Sequence, residues 1–312
     1  AADVLADFDG GHRKGLVRAA RFDLEAPGFA HGLGHVLDGF LRHRLGRFVA
    51  RGGTHHGGDA EHLAAGGPGG LHVAVLGLRL HIDSALANVD LEAATAHGVC
   101  VMNTPGQNSN AVAELAFGMM VMAVRNFYNG TSGTELMGKK LGIHAYGNVG
   151  RNVARIAKGF GMDIYAFDAF CPKEVIEKDG VKAVSSAEEL YAACNVVSLH
   201  IPATAETKNS INYELVNKMP KGGVLVNTAR KEVINEAELI KLMEERTDLK
   251  YVTDIMPVAH AEFSEKFAGR YFSTPKKMGA QTAEANINAG IAAARQIVGF
   301  LKDGCEKFRV NK

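Results

Sequence analysis

Short apolar runs typical of β-strands alternate with helical segments in the second half of the chain, and this alternation most restricts the possible fold. Strands connected through helices pair in parallel, and the helices then cover both faces of the sheet. We therefore predict an α/β fold with a doubly wound parallel sheet. The predicted strands are 140–146, 163–168, 196–200, 223–227 and 251–254, and the predicted helices are 111–124, 149–160, 187–193, 212–218, 236–245 and 282–301.

The turn after the first of these strands has glycines at the spacing of a dinucleotide-binding turn. Gly147 lets the backbone approach a pyrophosphate, Gly150 lets helix and strand pack closely, and the helix N-terminus offers N–H groups to an anion. Ala145 stands where a first glycine is usual. A methyl group is tolerable there if Ala145 keeps a negative φ, because only a positive φ strictly demands glycine. The strand, turn and helix together predict a Rossmann-type nicotinamide site that includes Asn148 and Val149.

The second strand ends at Asp168, eighteen residues after Gly150. A carboxylate at this position can accept hydrogen bonds from both hydroxyls of an adenine ribose, and it repels a 2′-phosphate. The predicted cofactor is therefore NAD rather than NADP.

Charge and composition favour small-molecule chemistry. The chain has 35 basic and 34 acidic side chains, so no net field attracts nucleic acid or a membrane surface. Its longest apolar run, 115–124, is about half of the ~20 residues that a membrane-spanning helix needs. The first thirty residues lack the apolar stretch of a secretory signal, and the four cysteines show no C-x-x-C spacing. We expect a soluble cytoplasmic protein with reduced thiols.

Residues 1–81 have an unusual composition. They lack Ile, Ser, Asn, Gln, Met, Cys and Tyr, and they hold nine of the thirteen histidines. His31 and His35 have a spacing that a metal could use, but no carboxylate or cysteine spacing completes a site, so no metal is predicted. Only 71–80 has the pattern of a strand. We interpret residues 1–85 as misread in their reading frame or not folded as a natural domain.

Several motifs in order resemble the D-isomer-specific 2-hydroxyacid dehydrogenases over about residues 88–303. These motifs are Asn103–Asn108, Ala111–Glu114, Val197–Pro202 and Val226–Arg230. The resemblance implies an NAD-binding Rossmann domain at 102–283 and a smaller flavodoxin-like substrate domain made of 1–101 and 284–312. It also implies a homodimer and reversible hydride transfer between NAD and C2 of a 2-hydroxy acid. Within the family, the chain is most similar to the short phosphoglycerate dehydrogenases without a regulatory domain, whose substrate is phosphorylated.

The resemblance also assigns site residues. Arg230 follows a predicted strand, where a guanidinium can hold a carboxylate with two hydrogen bonds and polarise the C2 carbonyl. Asn108 is a second implied substrate contact. The residues implied to line the cofactor cleft are His200, Pro202, Thr228 and Asp254, the last as partner of the nicotinamide carboxamide.

The chain departs from the family at the proton-transfer pair. Relatives have a histidine where this chain has Lys277, and a glutamate where it has Ala259. The two changes are consistent with each other, because an ammonium is protonated near neutral pH without a glutamate to raise its pKa. Lys277 is thus the predicted proton donor in reduction. Oxidation is expected to need high pH unless burial or Arg230 lowers the pKa of Lys277.

A second departure leaves other readings open. The glycine loop with which relatives bind the substrate carboxylate reads here as residues 81–87 without glycine. A glyoxylate or hydroxypyruvate reductase of the same family stays an alternative, as does a non-catalytic NAD-binding protein like the dehydrogenase-related corepressors. The strongly apolar helix 111–124 predicts either a dimer interface or ordinary core packing.

Overall fold

The computed structural model describes residues 2–7, 16–22, 71–75, 78–83 and 90–311. Internal contacts divide the chain into two compact units: residues 1–107 with 283–312, and residues 108–282. We call them the first and the second unit. The histidines considered for a metal and most of the altered glycine loop fall outside the described residues. Residues 1–85 are described only in four short stretches, so their interpretation stays a prediction.

The described part of the first unit combines short strands with two helices. Strands β1 (Ala2–Asp7) and β2 (Leu16–Phe22) pair antiparallel. Strand β3 (Leu71–Val75) pairs antiparallel with β4 (Leu78–Asp83), and β4 pairs parallel with β5 (Val99–Asn103). The helices of this unit are α1 (Leu91–Ala96) and the C-terminal helix (Ala283–Asp303). The predicted flavodoxin-like topology of this unit stays a prediction.

The second unit is built on seven parallel strands, as the sequence predicted for its main sheet. The strands are β6 (Lys140–His144), β7 (Asp163–Phe167), β8 (Lys182–Ala183), β9 (Val196–Leu199), β10 (Val224–Asn227), β11 (Lys250–Thr253) and β12 (Tyr271–Ser273). Their order across the sheet is β12-β11-β10-β9-β6-β7-β8. The chain order reverses between β6 and β9. In open parallel sheets, ligands bind beyond the carboxyl ends of the strands at this point.

Helices cover both faces of the seven-stranded sheet. They are α2 (Ser109–Val124), α3 (Asn148–Gly159), α4 (Lys173–Lys178), α5 (Ala187–Ala193), α6 (Tyr213–Asn217), α7 (Glu236–Glu245) and α8 (His260–Lys266). Every residue of β9 and β10 is buried, which explains why these strands read as continuous apolar runs. Two hydrophobic clusters lie on the two faces of the sheet. Val226 belongs to one cluster, and its neighbour on β10, Leu225, belongs to the other. The sequence did not predict the short elements α4, α8, β8 and β12.

Helix α2 owes its apolar composition largely to the core of the second unit. Nine of its sixteen residues are buried. Leu115, Val121 and Met122 are partly buried and also pack against this core. Core packing therefore accounts for most of this helix. None of the helices in the described part of the chain is long and apolar enough to span a membrane.

A candidate dinucleotide site at the carboxyl edge of the sheet

The turn from β6 into α3 has an open helix N-terminus. Gly147 is the N-cap of α3, no side chain caps the helix, and its first turn contains no acidic residue. A Cβ atom at Gly147 would meet nothing within 4 Å, so the backbone here faces free space. Unpaired N–H groups and the positive end of the helix dipole then favour an anion such as a pyrophosphate. Asn148 and Val149 contribute the first two residues of α3, as predicted for this turn.

Gly150 is required for a different reason. A Cβ atom at this position would overlap the carbonyl oxygen of Ala145 and would lie 3.0 Å from Cγ2 of Ile143. Such a contact with backbone cannot be relieved by rotating a side chain. Gly147 thus leaves room for a ligand, whereas Gly150 lets α3 pack on the end of β6.

Ala145 does not have the negative φ at which a methyl group is tolerated without strain. Its φ is +80°, in the region that favours glycine. The surrounding bonds fix this conformation, since the N–H of Ala145 donates to the Phe167 carbonyl at 2.8 Å and its own carbonyl packs on Gly150. The next N–H, that of Tyr146, donates to Asp168. A methyl group at such a φ costs about 1–2 kcal/mol, so this turn is strained.

Asp168 lies at the end of β7 and binds the turn directly. Its Oδ2 accepts the N–H of Tyr146 at 2.7 Å, and its Oδ1 accepts the N–H groups of Phe170 and Cys171 at 2.8 Å each. A carboxylate has about four acceptor sites, so one remains. The expected contact of Asp168 with the ribose hydroxyls stays a prediction, and Oδ2 has an acceptor site left for it.

His200 and Thr228 lie next to each other beyond β9 and β10. The Oγ1 of Thr228 is 3.3 Å from Nδ1 of His200, while Nε2 of His200 is buried and has no hydrogen-bond partner among the described residues. Burial, with a smaller contribution from His144, lowers the pKa of His200 to about 3, so its ring is neutral at physiological pH. A buried nitrogen without a partner is typical of a group that meets a ligand. Pro202 is exposed, two residues further along the chain.

Arg230 is presented by a small turn at the end of β10. Asn227 is fully buried, accepts the N–H of Ala229 at 2.9 Å and donates to the carbonyl of Arg230 at 3.1 Å. The guanidinium of Arg230 is exposed and donates to the Ala229 carbonyl, and no carboxylate of the described residues pairs with it. The sequence analysis had missed Asn227, although an asparagine at a strand end is a typical turn residue.

A buried carboxylate holds the loop that carries Lys277. Asp254 has no exposed surface, and its oxygens accept the N–H of Met278 at 2.8 Å and the N–H of Gly279 at 2.7 Å. The hydroxyl of Thr274 shares its one proton between the backbone carbonyl of Asp254 at 2.8 Å and the same carboxylate at 3.0 Å. Asp254 thus binds protein donors on both sides of Lys277. Any bond to a nicotinamide carboxamide would have to use its one remaining acceptor site.

Lys277 lies close enough to Arg230 and Asp254 for their charges to affect it. Partial desolvation lowers the pKa of Lys277, although the residue is still exposed, and Arg230 lowers it further, while Asp254 and Glu232 act in the opposite direction. Oxidation was expected to need high pH unless burial or Arg230 lowers the pKa of Lys277, and both lower it here.

Neighbouring titratable groups are engaged elsewhere. His260 contacts the hydroxyl of Tyr271 at 2.9 Å, and Glu262 pairs with Lys266 at 2.8 Å. Ala259 donates its N–H to Glu236. No carboxylate among the described residues therefore takes the place of the family's glutamate as a hydrogen-bond partner of Lys277.

Asn108 begins helix α2 as its N-cap and makes no side-chain capping bond. Its carbonyl accepts the N–H of Val112, whose side chain packs against Gly279 in the loop of Lys277. Asn108 is thus one helical turn from this loop. Across the described residues, no group of three or more His, Cys, Asp or Glu side chains could hold a metal ion.

Comparisons with known proteins agree with this geometry. Residues 110–270 match the family model of the D-isomer specific 2-hydroxyacid dehydrogenase, NAD binding domain. A solved structure of NAD⁺-bound 3-phosphoglycerate dehydrogenase from Entamoeba histolytica is 48% identical, with a TM-score of 0.67 and coverage of 74% of each chain. The chain is also similar to a hydroxypyruvate reductase of Thermotoga maritima, at 33% identity over 68% of this chain and 73% of the relative.

A curated D-3-phosphoglycerate dehydrogenase of Haemophilus influenzae is 34% identical over 242 residues, which are 72% of this chain. The chain spans only 58% of that relative's length.

Replacing Ala145 with glycine should stabilise the protein by about 0.5–1 kcal/mol. Glycine adopts a positive φ without steric cost, and this gain exceeds the greater chain entropy that glycine adds to the unfolded state. Urea unfolding measures the change. Ala154→Gly, in the middle of α3, is the matched control and should destabilise by about 1 kcal/mol or more. Loss of stability in Ala145→Gly would contradict the strained turn.

Replacing Gly147 or Gly150 with alanine should affect two different properties, NADH affinity in one case and stability in the other. Gly147→Ala should unfold at nearly the wild-type urea concentration but bind NADH at least tenfold more weakly, because its methyl group occupies the space for the pyrophosphate. Gly150→Ala should lose about 2 kcal/mol or more of stability through overlap with the Ala145 carbonyl. NADH fluorescence titration and urea unfolding separate the effects. Equal loss of stability in both variants would contradict the distinction.

Proposed function

The chain belongs to the D-isomer-specific 2-hydroxyacid dehydrogenases, and we propose that it is an NAD-dependent D-3-phosphoglycerate dehydrogenase of serine biosynthesis. Its reaction is the reversible interconversion of 3-phosphoglycerate and 3-phosphohydroxypyruvate. The names of the Entamoeba and Haemophilus relatives support this substrate.

One observation carries the proposal. Arg230 and Lys277 lie near enough for the charge of one to lower the pKa of the other, and neither makes an ion pair with a carboxylate of the described residues. Two cations without an ion-pair partner among the described residues, at the carboxyl edge of a parallel sheet, favour an anionic ligand. A 2-hydroxy acid with a carboxylate and a phosphate group has the required charge.

In this proposal Arg230 binds the substrate and Lys277 moves the proton. The Arg230 guanidinium holds the C1 carboxylate and polarises the C2 oxygen, since its planar fork can donate two parallel hydrogen bonds. In reduction the Lys277 ammonium donates a proton to the oxygen at C2 as negative charge develops there. In oxidation the neutral amine of Lys277 removes that proton. Asn108, close to the same loop, is a further substrate contact.

NAD supplies or accepts the hydride at C2 when it is bound. The first turn of α3 with Gly147 holds the pyrophosphate, and Asp168 accepts one hydrogen bond from the adenine ribose. His200 offers its buried Nε2 to the cofactor, and Pro202 and Thr228 line the cleft beside it. Asp254 fixes the loop of Lys277 and keeps one acceptor site for the carboxamide.

A homodimer and a cytoplasmic location also belong to this proposal. Tyr128 and Met137 are 67% and 72% exposed, and together with the partly buried Leu115, Val121 and Met122 of α2 they provide apolar surface that a second copy could cover. Light scattering at micromolar concentration tests the dimer, and a monomer at that concentration would contradict it.

The substrate is tested by NADH oxidation with phosphohydroxypyruvate, hydroxypyruvate and glyoxylate. We expect kcat/KM to be highest for phosphohydroxypyruvate. A preference for hydroxypyruvate would instead support the activity named for the Thermotoga relative. NADH binding without turnover of any of the three acids would favour a non-catalytic NAD-binding protein.

Lys277→Met should lower kcat by about 10²–10⁴-fold while NADH affinity changes little, because general acid catalysis is lost and the cofactor contacts remain. Lys276→Met removes the neighbouring exposed lysine of the same loop and is the matched control, with kcat expected within twofold of wild type. Similar losses of kcat in both variants would contradict a specific role for Lys277.

The pH dependence of oxidation should follow the protonation state of Lys277. Oxidation needs the neutral amine, so kcat/KM rises as pH passes the pKa of Lys277, and the lowered pKa moves this rise below the pH expected for a free lysine. Glu232→Gln should move the rise to still lower pH, because Glu232 raises the pKa of Lys277. Glu262→Gln, which removes a carboxylate paired with Lys266, is the control. A profile that is flat from about pH 6 to 10 would contradict Lys277 as the base.

A further inference from the structure

Asp179 lies outside the glycine motif of the cofactor turn, yet it binds one residue of that turn and two residues of the helix that follows it. It is the C-cap residue of α4, and its Oδ2 accepts the hydroxyl of Tyr146 at 3.1 Å and Nη1 of Arg151 at 3.2 Å. The backbone carbonyl of Asp179 accepts a hydrogen bond from Nζ of Lys158. Tyr146 belongs to the turn, and Arg151 and Lys158 belong to α3, so this one residue connects the turn to its helix.

Tyr146 is held at both ends. Its N–H donates to Asp168 at 2.7 Å, its hydroxyl donates to Asp179, and its side chain is 1% exposed. The guanidinium of Arg151 lies 5.2 Å from the centre of the Tyr146 ring. Because Tyr146 directly follows Ala145, the bond from its N–H fixes the peptide plane that joins the strained Ala145 to Tyr146.

The ion pair of Arg151 and Asp179 would by itself contribute little to holding the turn. Their side chains are 42% and 40% exposed, and ion pairs with such exposure contribute little to stability. The buried hydroxyl of Tyr146 distinguishes this cluster from a surface pair, because a buried donor that loses its acceptor must move to find another. Burial and the bond to Asp179 raise the pKa of Tyr146, so its hydroxyl keeps the donated proton.

We infer that Asp179 is a positioning residue for the cofactor, which acts through Tyr146 and Arg151 to hold Ala145 at its positive φ. With the turn in this conformation, the N–H groups of α3 face the pyrophosphate and Asp168 faces the ribose. Without the Asp179 contact, Ala145 relaxes to negative φ and the turn has to be rebuilt each time a cofactor binds. Affinity for the cofactor then falls in the folded protein.

The test is NADH affinity in Asp179→Asn and Tyr146→Phe, measured by fluorescence titration. Both variants should bind NADH about tenfold more weakly, since each weakens a hydrogen bond to a charged group. Asp163→Asn is the matched control. It removes another carboxylate of the second unit, 4.0 Å from Lys182, and should bind NADH like the wild type. The inference rests on NAD binding at this turn, which the wild-type titration measures separately, and it uses no hydroxy acid.

Ala145→Gly distinguishes positioning from a purely structural role. Glycine populates positive and negative φ about equally, so in an Ala145→Gly background the Asp179→Asn change should weaken NADH binding only about twofold. A lower melting temperature of Asp179→Asn with unchanged NADH affinity would overturn the inference. A tenfold loss that persists in the glycine background would overturn it as well.

Discussion

Helix α3 begins so close to the end of β6 that no Cβ fits at Gly150, and the cofactor half of the site depends on this contact. The Ala145 carbonyl is directed towards the helix in this close approach, and Ala145 has a positive φ. The same turn leaves the first N–H groups of α3 without a side-chain cap. A strained turn and an open helix N-terminus are therefore two results of one packing constraint. Contacts outside the turn must then keep it in place.

The other half of the site depends on a buried charge. Removing the Asp254 carboxylate from water is costly unless it is hydrogen-bonded, and here it accepts donors from the 274–279 loop. A Cβ at Gly279 would come within 2.9 Å of Oδ2 of Asp254, so loop and carboxylate fit together closely. Lys277 is thereby held in a loop fixed by its backbone.

The hydrophobic pattern along the chain predicted most strands and helices of the second unit, because strands buried on both faces read as continuous apolar runs. Helix α7 was predicted to the residue at Glu236–Glu245. The contacts that shape the site were not predicted, because they join distant positions. Tyr146 and Asp179 are 33 residues apart, and Asp254 and Gly279 are 25 apart. The positive φ of Ala145 was not predicted either, since tertiary packing rather than local preference decides it.

The sequence by itself determined the family, the parallel sheet and the residues that meet at its carboxyl edge. These follow from periodicity and from short motifs, which depend on neighbours along the chain. Only the tertiary structure decided how the residues are used: that Asp168 has one acceptor site left, that Asp254 holds a loop, and that Lys277 has a lowered pKa. Hydrogen-bond saturation and desolvation depend on every group that surrounds an atom in space, and spacing along the chain does not specify those groups.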